Sequence, residues 1–167
     1  TTGCAPFTVQ FTNTSTNWTS CRWHTDNGLS SALANPVLTF STPGSYDVTL
    51  VVTDGNRSDS ITLLNYITVV DYPNADFSAP VATACPDLAP ISFLNSSTYA
   101  SSFVWDFGDG TTSNSPAPAH TYHQSGYFTV TLIASNQYGC RDVFTRNQYV
   151  EIHPKPDATV FADSSFS

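Results

Sequence analysis

Residues 105–110 read Trp-Asp-Phe-Gly-Asp-Gly, and residues 126–132 read Gly-Tyr-Phe-Thr-Val-Thr-Leu. In the first run, Trp105 has the same strand parity as Phe103 and Phe107, and the run ends in an Asp-Gly turn. In the second run, apolar residues alternate with polar ones, which is the period of a half-buried strand. Together the two runs predict a β-sandwich with an inward-facing tryptophan.

The same pattern occurs 82 residues earlier in the chain, without a gap for about 40 residues. One inserted residue later in the repeat moves the offset to 83. The matched pairs include Trp23 with Trp105, Gly28 with Gly110, Gly44 with Gly126 and, after the insertion, Tyr66 with Tyr149. The chain is therefore an internal duplication, and each copy is predicted to fold as a separate sandwich.

The predicted fold class is all-β, with two tandem immunoglobulin-like sandwiches in an elongated arrangement. We place the first repeat at residues 1–71, the second at 72–153, and a linker with the opening strand of a third repeat at 154–167. The first repeat has no counterpart of residues 75–83, so its first strand is expected to be missing.

The composition excludes two classes of partner. The chain has 13 acidic and five basic side chains, a net charge of -8 and a pI near 4.4. Binding to nucleic acid or to an anionic membrane needs clustered positive charge, so neither is expected. No apolar run approaches the roughly 20 residues needed to cross a bilayer, so membrane insertion is not expected either.

The motif at residues 105–110, with His120 and Tyr122 behind it, resembles the signature of the polycystic kidney disease (PKD) domain. The first repeat keeps Trp23 and Gly28 but has His24 where the second repeat has an aspartate. The signature positions in this chain are Trp23, Gly28, Trp105, Asp106, Gly108, Asp109, Gly110, His120 and Tyr122. The resemblance implies an extracellular module that occurs in arrays on surface proteins or as a spacer in secreted hydrolases.

The resemblance further implies a structural or adhesive repeat that is secreted or exposed at the cell surface. The cysteine placement is similar to that in surface adhesins of gliding Bacteroidetes-type bacteria. Neighbouring repeats and a surface polysaccharide or protein are the expected partners. The alternative is a carbohydrate-binding or accessory spacer module of a secreted hydrolase. An enzyme is not expected, since no Gly-x-Ser-x-Gly elbow or Cys-His pairing signal is present.

Four cysteines lack the spacing of a zinc site and favour disulfides in an oxidising compartment. Each repeat has two of them. The prediction is therefore pairing within each repeat, Cys4 with Cys21 and Cys85 with Cys140. Buried free thiols are the alternative, because unpaired cysteine is often buried.

No cofactor is expected, except that carboxylates could bind calcium. One candidate pair is Asp106 and Asp109 in the turn, and another group is Asp71, Asp76 and Asp87 around the linker. The alternative is that these side chains only cap turns, as aspartate does beside glycine.

Two further surfaces are candidates for binding. Trp18 is expected to be exposed and, with Tyr99, could stack on a sugar ring; the alternative is a loop aromatic that folds over the sandwich edge. In addition, residues 158–167 of a neighbouring molecule could fill the vacant edge of the first repeat by β-augmentation; the alternative is that the chain is cut from a longer one and its first strand precedes Thr1.

Overall fold

The computed structural model describes residues 1–87 and 89–160, and every regular element in them is a β-strand. The chain forms two compact units. The first unit comprises residues 1–73 together with the turn at 136–140, and the second comprises residues 74–135 and the chain from Arg141 on. The predicted all-β class with two tandem immunoglobulin-like sandwiches is confirmed.

The first unit has a five-stranded sheet facing a two-stranded sheet. The order in the large sheet is β1-β7-β6-β3-β4, and β2 pairs with β5 in the small one. The strands are β1 (Thr2–Cys4), β2 (Phe7–Gln10), β3 (Ser20–Thr25), β4 (Ser30–Ser31), β5 (Val37–Phe40), β6 (Gly44–Thr53) and β7 (Ser58–Val70).

The second unit repeats this plan and adds one strand pair. Its large sheet has the order β13-β12-β15-β16-β9, while β10 pairs with β14 and β8 with β11. The strands are β8 (Phe77–Ser78), β9 (Thr83–Ala84), β10 (Ile91–Ser92), β11 (Leu94–Asn95), β12 (Ser102–Asp106), β13 (Thr112–Ser113), β14 (Ala119–His120), β15 (Gly126–Ser135) and β16 (Arg141–Ile152). The β8–β11 pair has no counterpart in the first unit.

Both units carry the same irregularity in their long hairpin. The ladder shifts register at Asp47 in β6 and at Thr129 in β15. Opposite each shift, Asn65 and Gln148 adopt a positive φ of 50°. Their backbone amides donate to Asp47 Oδ1 at 2.7 Å and to Thr129 Oγ1 at 3.1 Å. The bulge is thus built into the repeat, and a short polar side chain closes it each time.

Alternation along the central strands fills both cores with aromatic rings. In the first unit Trp23 and Phe11 pack with ring centroids 5.2 Å apart. In the second, Phe77 lies 5.2 Å from Trp105, and both side chains are fully buried. Because Phe77 also contacts Phe93 and the rings of β16, the added strand β8 completes the second core.

The extra residue of the second repeat lies in the turn between β15 and β16. Thr53 pairs directly with Ser58, whereas Ser135 pairs with Arg141. Four residues therefore connect the first hairpin and five connect the second, so Cys140 lies in the enlarged turn rather than opposite Ser58. This turn belongs to the first unit.

The predicted disulfide pairing is wrong. A single disulfide joins Cys4 to Cys140, with a Cα–Cα distance of 5.9 Å, whereas Cys21 and Cys85 are free thiols. Sheet order explains why Cys4 cannot reach Cys21. Strands β1 and β3 are separated by β7 and β6, which places them about 14 Å apart at the usual strand spacing, beyond disulfide reach.

Strand length likewise separates Cys85 from Cys140. Cys85 follows β9, which pairs with Ile152 at one end of β16, and Cys140 precedes Arg141 at the other end. A strand of 12 residues spans about 40 Å. Cys21 instead points inward between Ser20 and Arg22, with its sulfur 3.6 Å from the carbonyl oxygen of Leu33.

Two predictions about the chain ends stay open. The expected opening strand of a third repeat falls mostly on residues 161–167, which lie outside the described part of the chain. Residues 154–160 are in no regular element. The repeat boundaries proposed from sequence likewise remain predictions.

Replacing Phe77 with alanine is expected to destabilise the protein by about 3–5 kcal/mol, because the side chain is fully buried among four aromatic rings. Leu94→Ala, in the partner strand β11 but exposed, is the control and should change stability by less than about 0.5 kcal/mol. Chemical denaturation followed by fluorescence measures both. Equal losses for the two variants would show that β8 does not complete the core.

Candidate functional site

The signature residues of the second repeat form a hydrogen-bonded clasp around the turn after β12. The His120 Nε2–H donates to Asp109 Oδ2 at 2.6 Å, and the Thr111 hydroxyl donates to Asp109 Oδ1 at 2.6 Å. The His120 ring stacks on Phe107 at 4.2 Å and meets the edge of Tyr122 at 4.6 Å. The imidazole is thus held by two aromatic rings and a carboxylate, and its side chain is 15% exposed.

The ionisation of this clasp follows from its contacts. Partial burial raises the pKa of Asp109, but hydrogen bonds from Thr111 and His120 outweigh it and leave the pKa below its usual value. Burial, with the nearby charges of Asp109 and Asp106, raises the pKa of the Tyr122 phenol. Tyr122 therefore stays protonated, and its hydroxyl donates a hydrogen bond to the carbonyl oxygen of Phe107 at 3.1 Å.

Gly108 is the position in this turn that admits no side chain. Its φ is +79°, and a Cβ there would collide with the carbonyl oxygen of Thr129. Gly110 also has a positive φ, +89°, but its Cβ would meet open space. Both glycines are therefore favoured by their positive φ, and Gly108 is also required by close packing against Thr129 in β15.

The first repeat closes the equivalent turn without ionisable groups. Leu38 stands where the second repeat has His120, and the Thr25 hydroxyl donates to Asn27 Oδ1. The Leu29 amide in turn donates to Thr25 Oγ1 at 3.1 Å. A catalytic role for the Asp-His clasp is not needed to explain its presence, since the fold closes the same turn by other means.

Of the predicted calcium ligands, Asp76, Asp87, Asp106 and Asp109 are engaged in local side-chain contacts, whereas Asp71 only accepts from Asn136 through its backbone carbonyl. Asp106 accepts from the Gly108 amide, Asp76 accepts from Ser96 and faces Arg146, and Asp87 lies 2.6 Å from His123. Across residues 1–87 and 89–160, no three acidic, histidine or cysteine side chains converge as a metal site would require. Calcium binding therefore stays a sequence-based prediction.

The predicted ligand-binding aromatics lie in different units. Trp18 is half-buried and packs against the core of the first unit, and its indole N–H donates to the carbonyl of Ser15 at 3.0 Å. Tyr99 is exposed and belongs to the second unit. Beside Trp18 lies an open cavity lined by polar residues, among them Asp54, Arg57 and Asp59.

A groove lined by both apolar and polar side chains runs alongside β7 in the first unit, and we call it the β7 groove. It has a volume of about 520 Å³. Ile61, Leu63 and Tyr66 line it and are 57%, 38% and 40% exposed. The buried residues Phe11 and Trp23 form its floor.

The β7 groove was not predicted from the sequence. The signal was present in the offset of 83, which aligns Ile61 and Tyr66 with Phe144 and Tyr149. In the second unit those two rings contact Phe77. The groove is thus the first-unit version of the surface that β8 covers in the second unit.

Comparison with known proteins agrees with this geometry. The family model described as PKD domain matches residues 1–69 and 72–152, which together make up most of the chain. The chain therefore belongs to the PKD domain family. No curated protein matched.

Solved structures provide individual relatives. The chain is 30% identical to the PKD1 domain of Vibrio anguillarum Epp over 49% of this chain and 96% of that one, with a TM-score of 0.41. It is 28% identical to the PKD1 domain of the Vibrio cholerae metalloprotease PrtV over 48% of this chain and 98% of that one, with a TM-score of 0.40. A Methanosarcina mazei protein solved by NMR is 32% identical over 59% of this chain and 67% of that one, with a TM-score of 0.39.

Replacing Asp109 with asparagine is expected to destabilise the protein by about 1–3 kcal/mol at neutral pH, since hydrogen bonds to a charged acceptor are lost. The folded-state pKa is lowered, so the carboxylate stabilises the fold above its unfolded pKa and this stabilisation is lost as pH falls through the folded pKa. The thermal stabilities of the two proteins should therefore converge at acidic pH, below the ordinary pKa of an aspartate. If the stability difference between the two proteins stayed the same at every pH, the stabilising role of the Asp109 carboxylate would be contradicted.

Gly108→Ala and Gly110→Ala form a matched pair with different expected costs. At Gly110 the loss should be about 1–2 kcal/mol, the cost of a positive φ in a non-glycine residue. At Gly108 the clash with the Thr129 carbonyl adds to it, so the loss should exceed that of Gly110→Ala by about 2 kcal/mol or more. Urea denaturation measures both, and equal losses would exclude the clash as the cause.

Proposed function

We propose that this chain is a non-catalytic spacer in a larger secreted or cell-surface protein. As members of the PKD family, its two repeats are structural modules. The spacer role is supported by the use of the signature residues. Trp105, Tyr122 and the Asp109–His120 pair all serve packing or turn closure, which leaves little chemistry for a substrate.

The Cys4–Cys140 disulfide is the observation that carries the proposal. A disulfide is typical of proteins that function outside the reducing cytoplasm. In the chain-entropy model, closing a loop this long stabilises the folded state by about 5 kcal/mol. Among residues 1–87 and 89–160, no helix is long and apolar enough to cross a membrane. The proposed location is therefore extracellular.

The same bond defines how the chain responds to tension. Cys4 and Cys140 are separated by 136 positions that include most of both repeats. When the ends of the chain are pulled, force passes through the sulfur–sulfur bond and bypasses the residues between them. A spacer with this connection keeps its length under load even if a sandwich opens.

An accessory carbohydrate-binding role has weaker support. Its main candidate, Trp18, packs against the first core and uses its N–H for Ser15, so the ring is only partly free to stack on a sugar. Adhesion to a polysaccharide or protein would have to use other exposed residues. The spacer role requires no exposed ligand-binding residues.

Force spectroscopy tests the spacer role. Pulled from its two ends, the reduced chain should extend about 490 Å further than the oxidised chain, at roughly 3.6 Å for each of the 136 positions that the disulfide protects. Cys4→Ser should behave like reduced wild type without added reductant. Cys85→Ser, which removes a free thiol, is the control and should match oxidised wild type. Equal extension with and without reductant would exclude the tension-bearing role.

A further inference from the structure

Cys85 has the same place in the second unit that Cys4 has in the first. Strand β1 runs parallel to β7, and β9 runs parallel to β16. In the first ladder the residue before the cysteine pairs with Val69, and in the second it pairs with Ile152. Because Ile152 corresponds to Val69 at the offset of 83, each cysteine follows the same position of a short parallel strand.

The backbone hydrogen bonds of the two parallel strands have the same register. The Thr68 amide donates to the carbonyl of Thr1 at 2.8 Å, and the Glu151 amide donates to the carbonyl of Ala82 at 2.9 Å. In each unit the acceptor lies three positions before the cysteine, and the donors are counterparts at the offset of 83. The backbone that carries the bonded Cys4 is therefore reproduced around Cys85.

The partner of Cys4 is a turn that organises itself. Asn136 Oδ1 accepts from the amides of Tyr138 and Cys140 at 3.0 Å and 3.1 Å. The Asn136 Nδ2 donates to the carbonyl of Asp71 at 3.1 Å, and Cys140 forms the disulfide with Cys4. The first asparagine and the last cysteine of this five-residue turn thus provide a hydrogen bond to a carbonyl and a bond to a sulfur.

The second unit has both of these attachment points. Cys85 is a partly exposed free thiol. The counterpart of Asp71 at the offset of 83 is Pro154, an exposed residue just after the end of β16. Nothing in residues 1–87 and 89–160 donates a hydrogen bond to its carbonyl. A second turn of the same kind would therefore find a thiol and an acceptor in the places where the first turn uses them.

The described part of this chain does not provide that second turn. Cys140 is already bonded to Cys4, in this molecule and in any second copy of it, and Cys21 is buried. The equivalent turn of the first repeat, residues 54–57, is one residue shorter and has no cysteine. The partner of Cys85 is therefore a cysteine-containing turn on another protein segment of the same design.

We propose that Cys85 and the adjacent end of β16 bind the hairpin turn of a separate PKD-type repeat, and that the two sulfurs form a disulfide. The partner turn has five residues, with asparagine first and cysteine last, as in residues 136–140. The inference goes beyond the spacer role, because it gives the second repeat a specific covalent partner.

The bond forms by exchange with a disulfide between the partner cysteine and a small thiol such as glutathione. The Cys85 thiolate attacks the partner sulfur, so that one sulfur–sulfur bond forms while the bond to glutathione breaks. Glutathione leaves as the thiolate and takes up the proton that Cys85 lost. The glutathione disulfide is the oxidant, and no other electron acceptor is needed.

A cyclic peptide supplies the partner turn for a test. It contains residues 133–143 closed by a D-Pro-Gly link, which retains the Ile133–Val143 pair, and its cysteine carries glutathione. In a glutathione buffer the wild-type protein should form an adduct with this peptide at Cys85, detected by mass spectrometry. A peptide with residues 136–139 scrambled should give about tenfold less adduct at equilibrium. Asn136→Ala in the peptide should lower the yield about fivefold, since a hydrogen bond is lost.

Two protein variants separate docking from simple thiol reactivity. Cys85→Ser should form no adduct, because Cys21 is buried and Cys4 is bonded. Adding Thr83→Cys to this variant places a thiol at an exposed position two residues away, and it should react equally with the turn peptide and the scrambled one. Equal adduct of wild type with both peptides would overturn the proposal, as would the wild-type preference persisting in the double variant. A Cys85–Cys85 dimer that forms in preference to the adduct would show that the proposed partner is wrong.

Discussion

The burial of one indole ring between two sheets constrains most of each repeat. A buried indole N–H must be hydrogen-bonded, and here the loop after the following short strand supplies a carbonyl. Trp105 donates to Ser115 at 2.9 Å, and Trp23 donates to Ala34 at 3.2 Å. The position of that loop, and of the strand that follows it, is therefore coupled to the ring.

The two repeats solve the remaining packing problems differently. In the second repeat, the Asp109 carboxylate is hydrogen-bonded to His120, whose ring packs against aromatic rings. In the first repeat, Leu38 and an uncharged Thr25–Asn27 pair take these positions. The second fills its core with Phe77, and the first leaves the corresponding surface as a groove. The buried tryptophan and the bulged hairpin are common to both repeats.

Periodicity and the internal repeat were enough to predict the fold class, the duplicated sandwich and the inward-facing tryptophans. These features follow from local rules, since side-chain alternation and glycine turns are visible in a single segment. The position of the extra residue in the second repeat could not be predicted in this way. A one-residue insertion in a turn does not change the alternation of the flanking strands, so the pattern does not show where it lies. Only the pairing of Ser135 with Arg141 places it beside Cys140.

The disulfide and the groove could not be predicted because both depend on which strands are neighbours in a sheet. Counting two cysteines per repeat suggested local pairs, but sheet order separates Cys4 from Cys21 by two intervening strands. To predict the groove, one would have to know that the segment around β8 lies against β16 in the second unit.

The separation of the bonded cysteines also affects biosynthesis. During synthesis from the N-terminus, Cys21 and Cys85 become available to Cys4 long before Cys140 does. Thiol exchange is slow, on the order of seconds to hours, so an early mispaired bond would persist without an isomerase. Rapid collapse of β3 would bury Cys21 beside Trp23 and remove the nearest wrong partner. Burial in the first sandwich would then keep the Cys21 thiol from forming a wrong disulfide.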